Sequence, residues 1–268
     1  MITRVLVIAG SDSGGGAGIQ ADIKTVTVLG GYATCAITAL TAQNTLGIHA
    51  VMEVPTAFIR RQIKAVVDDI GVDAVKTGML NHESVINAVA EEIRRIGNVS
   101  LVVDPVMVAK DGTRLLDKIA NDALKRELAP MATVLTPNVP EAEELTGFEI
   151  RDIDDMRRAG EMLLSLGPKG VLITGGHMDL EEIPNILVAN DGHEVFTIRR
   201  VHSPHTHGTG CTLASAIATK LGQGVPLFRA VKDAIKFVFA AVHEAPHLGR
   251  GQGPIQHLNS EARRTLSK

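Results

Sequence analysis

Residues 5–9 form an unbroken apolar run that stops at a glycine, and the next apolar positions, over 19–29, recur at helical spacing. Between them lies Gly10-Ser-Asp-Ser-Gly-Gly-Gly-Ala-Gly18, so the chain opens as strand, glycine-rich loop and helix. The alternation recurs: a strand over 73–76 before a helix over 83–96, a strand over 101–104 running into a loop, a strand over 133–135 before a helix from Glu141, and a strand over 170–174. Repeated β-then-α segments predict an α/β fold of three layers, a mostly parallel central sheet with helices on both faces. Two stretches break the pattern. Residues 32–40 and 49–54 read as strands joined by a polar turn, a small flap or edge near the site; 186–189 and 194–198 flank the hairpin signal Asn190-Asp191-Gly192. Helices are predicted over 210–221 and 227–243, followed by a polar Arg/Gln/Ser tail. No internal repeat or linker divides residues 1–268, which predicts a single domain.

Composition narrows the picture. Apolar residues make up 45% of the chain but aromatics only 3%, so the core must be aliphatic, which suits parallel strands covered on both faces. With 27 basic against 30 acidic residues and no basic run, nucleic acid is not an expected partner. Cys35 and Cys211 lie far apart with no metal-binding spacing, so both are expected to be free thiols. The first apolar run is too short for a secretory signal and no run of about 18 apolar residues exists, which predicts a cytoplasmic protein away from membranes.

Ligands of open α/β sheets sit beyond the carboxyl ends of the strands, so the loops there carry the chemistry. The loop over 10–18 is not a P-loop, because no Gly-Lys-Ser/Thr follows, and its glycines miss the dinucleotide spacing. By itself it serves equally as a flexible turn. His205-Thr-His-Gly-Thr-Gly-Cys-Thr212 runs straight into a helix. Gly208 and Gly210 allow backbone N–H groups to turn inward, where the helix dipole adds about half a positive charge, so an anion is held without lysine. The competing reading is an ordinary helix start capped by Thr209 or Thr212.

These segments, with Thr38-Ala-Leu-Thr-Ala-Gln-Asn-Thr45, Lys76-Thr-Gly-Met-Leu80, Asp104-Pro-Val-Met107, Thr136-Pro-Asn138 and Gly175-Gly-His177, together resemble the hydroxymethylpyrimidine/phosphomethylpyrimidine kinases, in order over nearly the whole chain. The resemblance implies a ribokinase-like fold and two successive phosphorylations of an aminopyrimidine alcohol for thiamine synthesis, with ATP as donor, Mg²⁺ as cofactor and often a homodimer. It implies that Gln43 reads the pyrimidine edge, that Gly10 and Met79 line the ring pocket, and that Asp22 lies close to substrate. A side-chain amide offers donor and acceptor in one plane, which suits that edge; Met79 equally suits a plain core position. Asp104 and Glu141 fall at the magnesium end, where one or two carboxylates typically join phosphate oxygens. Asn138, Thr174, Gly176 and Thr209 fall on the ATP side. Asn138 suits a helix N-cap as well, and Glu141 a first-turn acid.

Cys211 stands where sugar kinases of the fold carry an aspartate. The resemblance assigns it, with Gly208 and Gly210, to the catalytic centre. A thiol remains neutral beside a phosphate monoester, and a helix amino terminus lowers its pKa, so a thiolate base is expected for the alcohol. The chain departs from many relatives at Thr174, where they carry lysine before Gly-Gly-His; Lys76, Lys110 or the metal then has to supply the charge. Rival expectations are a vitamin B6 kinase of the same fold and a catalytically silent pyrimidine-binding protein.

Overall fold

The computed structural model describes residues 1–108, 112, 114–115 and 118–266. Strand β1 (Arg4–Asp12) organises it. Leu6 and Ile8 enter one core and Val5, Val7 and Ala9 the other, the two-residue alternation of a strand covered on both faces. Along the chain follow α1 (Gly18–Val28), β2 (Tyr32–Asn44), β3 (Gly47–Glu53), α2 (Thr56–Asp69), β4 (Ala74–Thr77), α3 (Glu83–Ile96), β5 (Ser100–Val103) and α4 (Lys118–Ala123). The second half holds β6 (Val134–Leu135), α5 (Val139–Thr146), α6 (Ile153–Leu164), β7 (Gly170–Thr174), β8 (Glu182–Ala189), β9 (Gly192–Arg199), α7 (Thr209–Gly222), α8 (Leu227–His243) and α9 (Ser260–Leu266).

One sheet results, in the order β3-β2-β1-β4-β5-β6-β7-β8-β9. Neighbours from β2 to β7 run parallel, while β3 at one edge and β8 and β9 at the other are antiparallel. Ile59 and Ile63 of α2, Ile86 and Val89 of α3, Met156 of α6 and neighbours from α4 and α5 fill one face. The other is filled from α1, α7 and α8, where Ala214, Ala216 and Ala218 bring the α7 backbone close to the sheet. The expected three-layer, mostly parallel architecture is therefore present. No helix among the described residues is long and apolar enough to cross a membrane.

Three differences from the sequence reading bear on the site. β1 runs on to Asp12 and β2 to Asn44, so Gly10 and Gln43 lie on strands rather than in loops. Helix α5 starts at Val139, two residues before Glu141. The polar tail is structured: Ile255, His257 and Asn259 are buried and α9 follows, because the segment packs back across the molecule. Helices α2, α4 and α6 carry no assignment from sequence.

Candidate active site

The carboxyl ends of the parallel strands open into a cavity of about 750 Å³. Its wall carries Gly10, Gln43, Met79, Asp104, Asn138, Glu141, Thr174, Gly176, Gly208, Thr209, Gly210 and Cys211, drawn from seven separate segments of the chain. Asp22 is the exception. It faces inward from α1, fully buried below the cavity floor, so it does not lie against a ligand as expected.

Two loops make the first wall. Asp12, at the end of β1, accepts N–H groups from Gly14 at 2.8 Å, Gly16 at 3.0 Å and Ala17 at 2.9 Å, which folds the glycine-rich loop around its carboxylate. His207 Nε2 lies 2.8 Å from the same carboxylate. A carboxylate only accepts, so this nitrogen carries the proton. Neither Asp12 nor His207 stands out from the sequence as a site residue, because an Asp among glycines reads as a turn and its partner is 195 residues away. Gln43 has its Oε1 engaged by the Thr41 hydroxyl at 3.1 Å, and its Nε2 sits 3.4 Å from His207 Nε2. With the histidine nitrogen a donor as well, the Gln43 NH₂ keeps its hydrogens for a ligand acceptor. Met79, its carbonyl held by Thr38 at 2.6 Å, packs its methyl where a Cβ on Gly10 would sit, 2.3 Å away. Met79 is thus both core and pocket wall.

The floor is electrostatic. Lys76 on β4 is wholly buried and donates to both Asp22 oxygens at 3.0 Å, while Ser215 donates to Asp22 at 2.7 Å and Asp104 lies 4.0 Å from the ammonium. Burial disfavours the ammonium, but the Asp22 and Asp104 carboxylates outweigh it and hold the Lys76 proton more tightly than in a free lysine. Lys76 therefore cannot touch a phosphate; it acts on the cavity only through its field. Lys110 lies outside the described residues.

Cys211 sits above this floor in the first turn of α7. The expected thiolate does not follow. Burial pushes the thiol up to about 12, the Asp22 and Asp104 charges add to this, and Lys76 and the Gly18 N–H only partly oppose them. Desolvation outweighs the helix terminus. The helix does begin without a side-chain cap: Gly208, at φ 89°, occupies the cap position, and Thr212 instead shares a 3.1 Å hydrogen bond with His257. The Thr209 N–H goes to the Thr206 carbonyl at 3.4 Å and the Thr212 N–H to the Gly208 carbonyl at 2.9 Å, so an anion in the cavity would be met by the first-turn N–H groups of Gly210 and Cys211, both of which line it.

Asp104 and Glu141 form the acidic end. Burial pushes Asp104 up to about 6, with Asp22 adding and Lys76 opposing. Glu141 is pushed up to about 8 by burial and by Asp104, against N–H donors at Asn138 and Met107. Asp104 Oδ2 is buried with no hydrogen bond. A buried carboxylate oxygen with no hydrogen bond, facing only the Lys76 ammonium 4.0 Å away, beside a second buried carboxylate fits a hard divalent cation, and among the described residues no third acidic, histidine or cysteine side chain joins them. A magnesium ion here would complete its shell with water and phosphate oxygens. Asn138 and Glu141 also form a reciprocal capping box at α5, Oδ1 accepting at 3.0 Å and Oε2 at 2.9 Å, so both structural roles weighed from sequence hold as well. Thr174 is tied by its N–H to Pro137 at 3.0 Å, and the Gly176 carbonyl accepts from Arg200, another cavity residue.

A nine-stranded sheet whose strand ends gather an amide, an uncapped helix terminus and two buried carboxylates around one cavity defines a small-molecule kinase of ribokinase-like fold. The chain belongs to the phosphomethylpyrimidine kinase family, whose model matches residues 12–256. It is 50% identical over 254 residues to the thiamine biosynthesis bifunctional protein of Geobacter sulfurreducens, covering 95% of this chain and 52% of that protein, about half its length. To a hydroxymethylpyrimidine/phosphomethylpyrimidine kinase of Haemophilus influenzae it is 44% identical over 260 residues, covering 96% and 97%. Among solved structures, an ADP complex of Bacillus subtilis pyridoxal kinase matches with a TM-score of 0.90 at 38% identity, covering 97% of this chain and 98% of that one.

Proposed function

We propose that the chain transfers the γ-phosphoryl group of ATP, with Mg²⁺, first to the hydroxymethyl group of 4-amino-5-hydroxymethyl-2-methylpyrimidine and then to the monophosphate so formed. The observation that carries this reading is that Gln43 and Cys211 share one cavity, the amide on the heterocycle side and the uncapped amino end of α7 beside it. Gln43 offers its free NH₂ to a ring nitrogen, and Met79 covers the ring. Phosphoryl transfer asks the protein chiefly to align the acceptor and neutralise moving charge. In this proposal the α7 N–H groups, the buried Lys76 field and a cation at Asp104 and Glu141 meet that need. Cys211 then serves as a small neutral neighbour of the acceptor oxygen, where a fixed carboxylate would repel the phosphate of the second substrate. The nucleotide lies towards Asn138, Thr174, Gly176 and Thr209.

The test is ADP release from Mg-ATP with the alcohol and, separately, with its monophosphate. Turnover of both supports the reading; tight binding of the alcohol without ADP release, or release with neither, rejects it. The likeness to a pyridoxal kinase favours a second reading, vitamin B6 alcohols as substrates, so kcat/KM for pyridoxal belongs in the same series. The reading places the enzyme in the cytoplasm. It is also taken to act as a homodimer through the β3 edge, where Leu46, Val51 and Met52 are exposed; a monomer by light scattering would reject that part.

A further inference from the structure

Residues 249–257, beyond α8, bond to the segments that carry the Gln43 and α7 sides of the cavity. Thr45 stands in the turn between β2 and β3, two residues after Gln43. Its hydroxyl oxygen accepts the N–H groups of Arg250 at 3.2 Å and Gly251 at 3.3 Å, and its carbonyl accepts that of Gln252 at 2.8 Å. One residue on, the Gly253 carbonyl accepts the His207 N–H at 3.1 Å, and His257 then meets Thr212. His207 and Thr212 flank the turn that carries Cys211. The segment touches its neighbours without slack. A Cβ on Gly249 would lie 2.2 Å from the Thr45 hydroxyl, one on Gly251 2.1 Å from the Thr45 carbonyl, and one on Gly253 2.3 Å from His205 Nδ1. Three glycines at alternate positions thus seat one strap between the strand end that holds the amide and the loop that starts α7.

We propose that this strap is a positioning element for phosphoryl transfer: it sets the separation between Gln43 and the anion-binding end of α7, with Thr45 as the residue through which the strap holds the Gln43 side. Thr45 touches neither ligand pole and acts through residues 250–252. Geometry of this kind matters because a misplacement of about 1 Å costs roughly a hundredfold in rate. The inference rests on the kinase reading, so its test includes a measurement that does not use turnover.

Thr45→Val keeps the shape and removes the oxygen that holds two N–H groups; Thr45→Ser restores it. Gly251→Ala presses on the same contact from the strap side. For Thr45→Val and Gly251→Ala, KM for the pyrimidine alcohol is expected to rise and kcat to fall, each roughly tenfold, while KM for ATP moves less than about twofold; Thr45→Ser stays near wild type. Independently of turnover, hydrogen exchange at the 207–212 amides, which Thr45 does not contact, is expected to speed up about tenfold in Thr45→Val while β1 and β4 keep their protection. Unchanged exchange at 207–212 overturns the proposal, as does faster exchange spread evenly over the sheet, which marks mere loss of stability. If the wild type turns over neither substrate, the kinase reading fails and the exchange pattern still decides whether the strap joins the two walls.

Discussion

His207 donates its ring N–H to the Asp12 carboxylate at 2.8 Å, fastening the loop before α7 to the loop after β1. Asp12 gathers four donors in all, three of them backbone N–H groups. Asp12→Asn keeps the size but leaves one acceptor oxygen for that set, a loss of about 1–3 kcal/mol by the cost of unmet buried donors. A lower Tm and a higher KM for the pyrimidine are expected. Burial alone would raise the Asp12 pKa, but the His207, Ala17 and Gly14 donors bring it below the ordinary carboxylate value. Its stabilisation is therefore complete above about pH 4 and shrinks as the pH falls further. Melts of wild type and Asp12→Asn should converge below that point; a gap that widens in acid contradicts the assignment.

Among the described residues, Lys76 is the one cation beneath the cavity floor in contact with Asp22. Lys76→Met strands the Asp22 charge in the core, and breaking a buried pair from one side costs about 3–5 kcal/mol. Adding Asp22→Asn should recover part of that loss. Denaturant unfolding of the two single variants and the double variant reads the coupling, and simple additivity would mean the pair does not interact.

With its thiol pushed up to about 12, Cys211 is a poor nucleophile at neutral pH. In a Cys35→Ser background, alkylation by iodoacetamide should be slower than for free cysteine at pH 8 and climb about tenfold per pH unit beyond it. A rate already level at pH 7 would restore the thiolate.

Gly208 and Gly210 look alike in the sequence but not in space. Gly208 has φ 89° and a Cβ there would fall 1.8 Å from the Gly16 carbonyl, whereas one on Gly210 meets nothing nearer than 4.0 Å. Gly208→Ala should lower Tm by several degrees, from about 1–3 kcal/mol of backbone strain and the clash beyond it. Gly210→Ala should melt with the wild type. Equal melting temperatures for both variants would mean the two loops are not pressed together.

The central strands were legible because an unbroken aliphatic run is what a strand buried on both faces requires, and α3 and α8 were bounded correctly because their apolar stripes are strong. Most cavity residues were legible too, since the segments that carry them stand at strand ends. What escaped depends on contacts made far along the chain. Asp22 is drawn off the cavity by Lys76, 54 residues away. Asp12 meets His207 195 residues further on, and Arg250 meets Thr45 205 residues back. A helix terminus does favour a thiolate at Cys211, but the depth of the thiol, which decides its proton, is a property of packing.

The strap also fixes an order of events during synthesis. Gln43 and Cys211 are both made, and β1 can already pair with β2 and β4, well before residues 249–257 leave the ribosome. Domains generally fold as units, and α7 and α8, which cover one face of this sheet, are made just before the strap. A chain that has emerged only as far as α8 therefore holds the Asp12–His207 contact without the second tie that the strap adds at Thr45.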